Sequence, residues 1–129
     1  MMAMGYNEQQ IVRTVSHPFI VRTLHCSSNE GYFSYVMEYC SGKDLYHILH
    51  MRPEGRLPES DVKFYVACMV LLFRHLREIL VYGDLKPENI VIHADGYPRL
   101  IDFGLSRLIK GRKSRHVETG NAQNKSSNP

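Results

Sequence analysis

Apolar residues along this chain are either spaced at three and four positions or gathered in short unbroken blocks. Over residues 6–15, Ile11, Val12 and Val15 follow the helical spacing. Pro18 limits that helix, because the residue before a proline is pushed out of the helical region. Residues 21–26 and 32–38 read as two strands, joined across 27–31 by a polar, turn-rich hairpin loop. Residues 44–51 predict a short helix whose first residue, Asp44, suits the positive end of the helix dipole. Pro53 and Gly55 mark a loop over 52–56. The clearest element spans 59–77, where Val62, Tyr65, Val66, Met69, Leu72, Phe73 and Leu76 recur on one helical face. Ala67, Cys68, Val70 and Leu71 widen that face, so this helix is expected to be buried on most sides. Residues 90–92 and 99–101 predict a short strand pair around a turn at 93–98. From 113 to 129 only Val117 and Ala122 are apolar. Such a segment buries too little to offset its ordering entropy and is expected to be disordered.

The long helix and the strand pair bracket Tyr82-Gly83-Asp84-Leu85-Lys86-Pro87-Glu88-Asn89, and Asp102-Phe103-Gly104 follows the pair. The hairpin sets Asn89 just before one strand and Asp102 just after the other. Two oxygen ligands thus come close although they are well separated in sequence. Transfer of a phosphoryl group needs a carboxylate near the attacking hydroxyl, a cation near the phosphate and hard oxygen ligands for magnesium. Asp84, Lys86, Asn89 and Asp102 are those types in that order. The plainer alternative is that Asp84, Asn89 and Asp102 only hold the loop by local hydrogen bonds.

The two motifs resemble the catalytic loop and metal-binding turn of the protein kinases. Neighbouring segments place the resemblance in the cAMP- and cGMP-dependent (AGC) branch of the serine/threonine type. Tyr6-Asn7-Glu8 with His17-Pro18-Phe19-Ile20-Val21 looks like the regulatory helix of the small lobe and its following loop. Tyr35-Val36-Met37-Glu38-Tyr39 resembles the adenine-contacting strand and hinge, and Lys110-Gly111-Arg112 the start of the activation segment. The fold implied is α+β: a truncated kinase-like fold holding the end of the small lobe and the first half of the mainly helical large lobe. Residues 1–112 would form this partial domain and 113–129 a basic, polar tail. The resemblance implies ATP and Mg2+ as cofactors. Asp84 would orient the acceptor hydroxyl, Lys86 neutralise the transferred phosphate, and Asn89 and Asp102 hold the metal. Glu38 and Cys40 would offer backbone hydrogen bonds to adenine, with Asp44 near the ribose and Leu45 and Val91 against the base. Glu8 would be the partner of a strand lysine. Glu88 and Asp44 would read arginines upstream of the phosphoacceptor, making the implied partners basic protein substrates.

The departures from the family pattern are specific. No G-x-G-x-x-G precedes Glu8, the sequence has no V-A-I-K lysine, and no A-P-E follows Asp102. Gly83 stands where the family usually has an arginine that grips a phosphorylated activation loop. Glycine offers no donor for that grip. Thr23 stands where an apolar member of the internal stack with Val12, Tyr82 and Phe103 is expected. Less than half of a catalytic domain is matched, and a kinase fragment inactive alone is the expectation. The alternative is a non-catalytic, pseudokinase-like binding module.

Charge and cysteines add little chemistry. The net charge is +3, but residues 107–129 carry six Lys/Arg against Glu118, which leaves the rest of the chain acidic. The basic stretch reads as a solvated segment, with no nucleic acid or membrane expected as partner. Cys26, Cys40 and Cys68 show no C-x-x-C spacing, so neither a disulfide framework nor a zinc site is indicated. Reduced thiols fit a cytoplasmic location. His47 and His50, one helical turn apart, read as surface residues. The longest apolar run, 64–73, is too short to span a bilayer.

Overall fold

The structure, a computed structural model, describes residues 2–109, and side chains from Gly5 onward. Helix α1 (Met2–Thr14) leads into the antiparallel strands β1 (Thr23–Asn29) and β2 (Tyr32–Met37). Helices α2 (Leu45–His50) and α3 (Glu59–Leu76) follow. Four short strands complete the fold: β3 (Leu80–Val81), β4 (Ile90–Ile92), β5 (Pro98–Leu100) and β6 (Arg107–Leu108). A 3₁₀ turn at Pro87–Asn89 precedes β4. They form three separate two-stranded sheets, β1–β2, β3–β6 and β4–β5. The mixed helix and strand content agrees with the α+β expectation. The expected tail at 113–129 and the Lys110-Gly111-Arg112 stretch lie outside the described residues.

The local chemistry explains most boundaries. The β1–β2 connection is tighter than expected, with Glu30 (φ 47°) and Gly31 (φ 85°) as its two turn residues. Positive φ at both central positions matches the twist of the flanking strands, as in a type I′ turn. Asp44 caps α2, its carboxylate accepting from the His47 N–H at 2.7 Å. The strands β3 and β6 were not expected. At two residues each they leave no periodic signal, and only their pairing Leu80↔Leu108 and Val81↔Arg107 defines them.

The core gathers Ile11 of α1, Leu72 and Leu76 of α3, and Ile90 and Leu100 of the β4–β5 hairpin. Each such aliphatic side chain stabilises the fold by about 1.5–3 kcal/mol when fully buried. The hairpin is tied to the α1–β1 linker by backbone bonds from Val21 N to Leu100 O and from Leu100 N to Phe19 O, both 2.9 Å. It is tied to the segment before α2 by the Asp44↔Val91 bridge and by Ile92 N to Lys43 O at 3.0 Å. That second approach requires Gly42, since a Cβ there would overlap the Ile92 carbonyl. One expectation is corrected. Helix α3 buries Cys68, Met69, Leu72 and Leu76, while Val62, Val66 and Val70 are 42%, 54% and 60% exposed. Those valines recur every four residues and form a second stripe, turned away from the one facing the core.

Candidate active site

The turn between β3 and β4 is organised by one side chain. Asn89 is 5% exposed, and its amide nitrogen donates to the Asp84 carbonyl and to Asp84 Oδ2, both at 3.0 Å. Lys86 Nζ reaches the same carboxylate oxygen at 2.8 Å. The lysine, aided by the Asn89 amide, holds the Asp84 carboxyl below the usual carboxylate range, and the Asp84 carboxylate in turn raises the pKa of Lys86. The sequence folds this way because Pro87 suits the first position of the 3₁₀ turn, where its missing N–H costs nothing. The turn then brings Asn89 back over Asp84.

Asn89 and Asp102 are brought together by the hairpin register. Ile90 pairs with Leu100, and Ile101 N donates to the Asn89 carbonyl at 3.1 Å, so Asp102 emerges beside Asn89. Asp102 Oδ1 accepts from Gly104 N at 2.8 Å. Glu8 on α1 lies close enough for burial and the Asp102 charge to push its carboxyl up, against a hydrogen bond from Tyr35. The donor set fits magnesium on chemistry. It offers the carboxylate of Asp102 and the amide oxygen of Asn89, whose nitrogen is already engaged, in a place with excess negative charge.

The remaining candidates divide between two concavities. Glu8, Glu38 and Asp102 line a cavity of about 1210 Å³ between α1, the β1–β2 hairpin and β5, together with Tyr35, Met37 and Arg99. Cys40, Asp44, Glu88 and Val91 line a shallow groove beside it, and Ile101 borders both. Leu45 packs against the core and does not line the groove. Glu38 donates its N–H to Arg22 O at 2.9 Å, so its carbonyl is the backbone group left to offer a ligand. Its carboxyl is lowered by the Arg22 N–H and by Arg22 and Arg99. Burial raises the Cys40 thiol pKa. Asp84, Lys86 and Asn89 stand outside both concavities, on the loop beside them.

The sequence reading missed Arg99. Its guanidinium forks between Glu38 Oε1 at 3.0 Å and Asp95 Oδ2 at 2.9 Å, joining the end of β2 to the β4–β5 turn. An arginine in an otherwise apolar strand, four residues after an aspartate, was the available signal. His47 and His50 make other contacts, with Lys43 and the Tyr46 carbonyl. Among the described residues, no group of three or more His, Cys, Asp or Glu side chains is placed to hold a metal. No helix among them is long and apolar enough to cross a membrane.

Comparison with known proteins identifies the family of the chain. The family model "Protein kinase domain" matches residues 3–125. The serine/threonine-protein kinase nrc-2 of Neurospora crassa is 43% identical over 101 residues, covering 78% of this chain and 16% of the relative. Serine/threonine-protein kinase ppk22 of Schizosaccharomyces pombe is 41% identical over 103 residues, covering 79% and 20%. The cGMP-dependent protein kinase 2 of Rattus norvegicus is 38% identical over 111 residues, covering 84% and 14%. The chain therefore spans 14% to 20% of the length of these relatives.

Proposed function

The chain belongs to the protein kinase domain family, and from that premise we propose that it carries the catalytic-loop half of a serine/threonine kinase site. The reaction is transfer of the terminal phosphoryl group of ATP to protein substrates with arginines upstream of the acceptor. The observation that carries this reading is the loop in which Asp84, Lys86 and Asn89 converge, with Asp102 delivered beside it by the β4–β5 register.

Each residue has a role that follows from its surroundings. Asp84, kept ionised by Lys86 and Asn89, accepts and orients the proton of the attacking hydroxyl at its carboxylate. Lys86, held at the same carboxylate, supplies positive charge where the phosphoryl group passes. Asn89 and Asp102 would hold Mg2+, which when bound neutralises charge on the ATP phosphates. Cys40, Asp44 and Val91 would receive the nucleoside with the Glu38 carbonyl, with Leu45 packed behind them, and Glu8 would pair with a strand lysine. Glu88 and Asp44, bordering one groove, suit an arginine side chain.

The 129 residues contain no glycine-rich loop and no V-A-I-K lysine, so this chain alone is a very weak or inactive catalyst that binds Mg-ATP poorly. The test is a graft. Residues 5–109 replace the matching segment of the rat cGMP-dependent kinase, and turnover is measured on two peptides, with and without an upstream arginine. The graft should turn over, and Asp84→Asn should reduce the rate by about 10²–10⁴. Glu88→Gln should reduce the arginine peptide selectively. A folded graft with no turnover would favour the non-catalytic binding module. Equal losses on both peptides for Glu88→Gln would remove the arginine assignment.

A further inference from the structure

Three segments distant in sequence meet at Ser106. The residue is 1% exposed, and its hydroxyl donates to the Tyr82 carbonyl at 2.9 Å. Its own carbonyl accepts from the side-chain amide of Asn7, on α1, at 2.6 Å. Its N–H donates to the Phe103 carbonyl at 3.0 Å. Just beyond it β6 pairs with β3, and Ile109 N donates to Ile79 O at 2.9 Å. Tyr82, which accepts the hydroxyl, also stands edge-on to Phe103 with ring centroids 5.5 Å apart.

Gly83 makes this meeting possible. It has φ 84°, and a Cβ on it would stand 3.1 Å from the Leu105 carbonyl. The backbone at 105–106 thus lies directly against the backbone at 82–83, and Asp84 is the next residue. With no donor at position 83, the neutral hydrogen bonds of Ser106 tie the start of the catalytic loop to the segment after Asp102. A buried carbonyl such as that of Tyr82 is costly to leave unpaired, so the Ser106 hydroxyl has little freedom to leave it.

Resting on the phosphoryl-transfer reading above, we propose that Ser106 and Asn7 are positioning residues of the site. They form a relay from α1 through the segment after Asp102 to the Tyr82 carbonyl, and this relay sets where Asp84 and Asn89 stand. The placement of the loop is therefore coupled to α1 without a phosphate and without an arginine at position 83.

The experiment uses the whole 129-residue chain and no nucleotide, so its failure would leave the proposed reaction standing. Two-dimensional NMR follows the side-chain amide of Asn89, which donates to Asp84, and amide exchange follows residues 107–109. In Ser106→Ala and Asn7→Ala the Asn89 signal should shift, and residues 107–109 should exchange about tenfold faster. Amides of the β1–β2 hairpin should keep their wild-type rates. Ser106→Thr, which retains the hydroxyl, should restore the Asn89 signal. The Ser106→Ala, Asn7→Ala double variant should show less than the sum of the single effects, because both cut one relay. Should Ser106→Ala not fold, Asn7→Ala alone decides, since Asn7 is only half-buried. An unmoved Asn89 signal in the folded variants, even with faster exchange at 107–109, would overturn the proposal. So would strictly additive effects.

Discussion

The two hairpins of this molecule are stabilised in opposite ways. The β1–β2 hairpin has the longer ladder and a favourable two-residue turn, yet most of its side chains face solvent. Tyr32 is 79% exposed and Val36 53%. The β4–β5 hairpin has only three residues a side, but Ile90, Val91 and Leu100 are buried and its backbone bonds reach two further segments. Asn89 and Asp102, proposed to hold the metal, sit at the ends of the second. A short ladder with a buried face and backbone bonds to two segments fixes its end residues better than a longer, mostly exposed ladder tied to α1 only by side chains, because local opening must break several contacts at once.

The largest stability contrast should therefore lie between the hairpins. Leu100→Ala, at a side chain with no exposure, is expected to cost about 2–5 kcal/mol. Val36→Ala should stay within about 0.5 kcal/mol. Urea denaturation of both variants measures this, and comparable losses would show that the exposed hairpin is clamped by something else.

A smaller effect is expected in the loop that leads into the second hairpin. Gly83→Arg supplies the guanidinium missing by comparison with the family, but it puts a Cβ at φ 84° and 3.1 Å from the Leu105 carbonyl. A destabilisation of about 1–3 kcal/mol is expected from the backbone strain. The simple expectation that arginine would restore a lost grip thus meets a backbone cost. A Gly83→Arg protein as stable as the parent would mean the loop relaxes freely, which would also weaken the clamping contrast.

The smallest effect is a pH dependence at the linker joining the two regions. His17 Nδ1 accepts from the Phe19 N–H at 3.1 Å, and its ring stands 5.2 Å from that of His75. Burial, and then the neighbouring His75, lower the pKa of His17 below 6.5. A histidine with a lowered folded-state pKa contributes stability that is complete above its unfolded pKa of about 6.5. That contribution falls as pH drops through the lower folded value, when a proton on Nδ1 would also remove the acceptor. Melting temperatures at pH 7.5 and pH 5.5 should differ more for the parent than for His17→Asn. An equal pH response in both would remove His17 from the account.

Much of the site was legible along the chain. The spacing of Asp84, Lys86 and Asn89 with Asp102 depends on a loop and a tight hairpin, both encoded locally by Pro87, by the turn at 93–98 and by the apolar strands. Helix α3 was legible as a helix from its periodicity, but its burial was not. A run apolar on nearly every side reads as fully buried, whereas only the packing partners select the stripe that meets the core.

The sequence by itself determined the types of the longer elements, the order of the chemical groups and the family. Those properties follow from steric limits and side-chain chemistry within a few residues. Tertiary structure alone decided that Ser106 bonds to Tyr82 and Asn7, that Arg99 forks between Glu38 and Asp95, and that β3 pairs with β6. It also decided that Gly83 serves as the point of closest approach to the segment at 105. Apart from the local Asp95–Arg99 pair, the hydrogen bonds among these contacts join residues 24 to 99 positions apart, and a one-dimensional pattern carries no register between such distant groups. The register appears only when burial of Ile11, Leu72 and Leu100 brings the segments together.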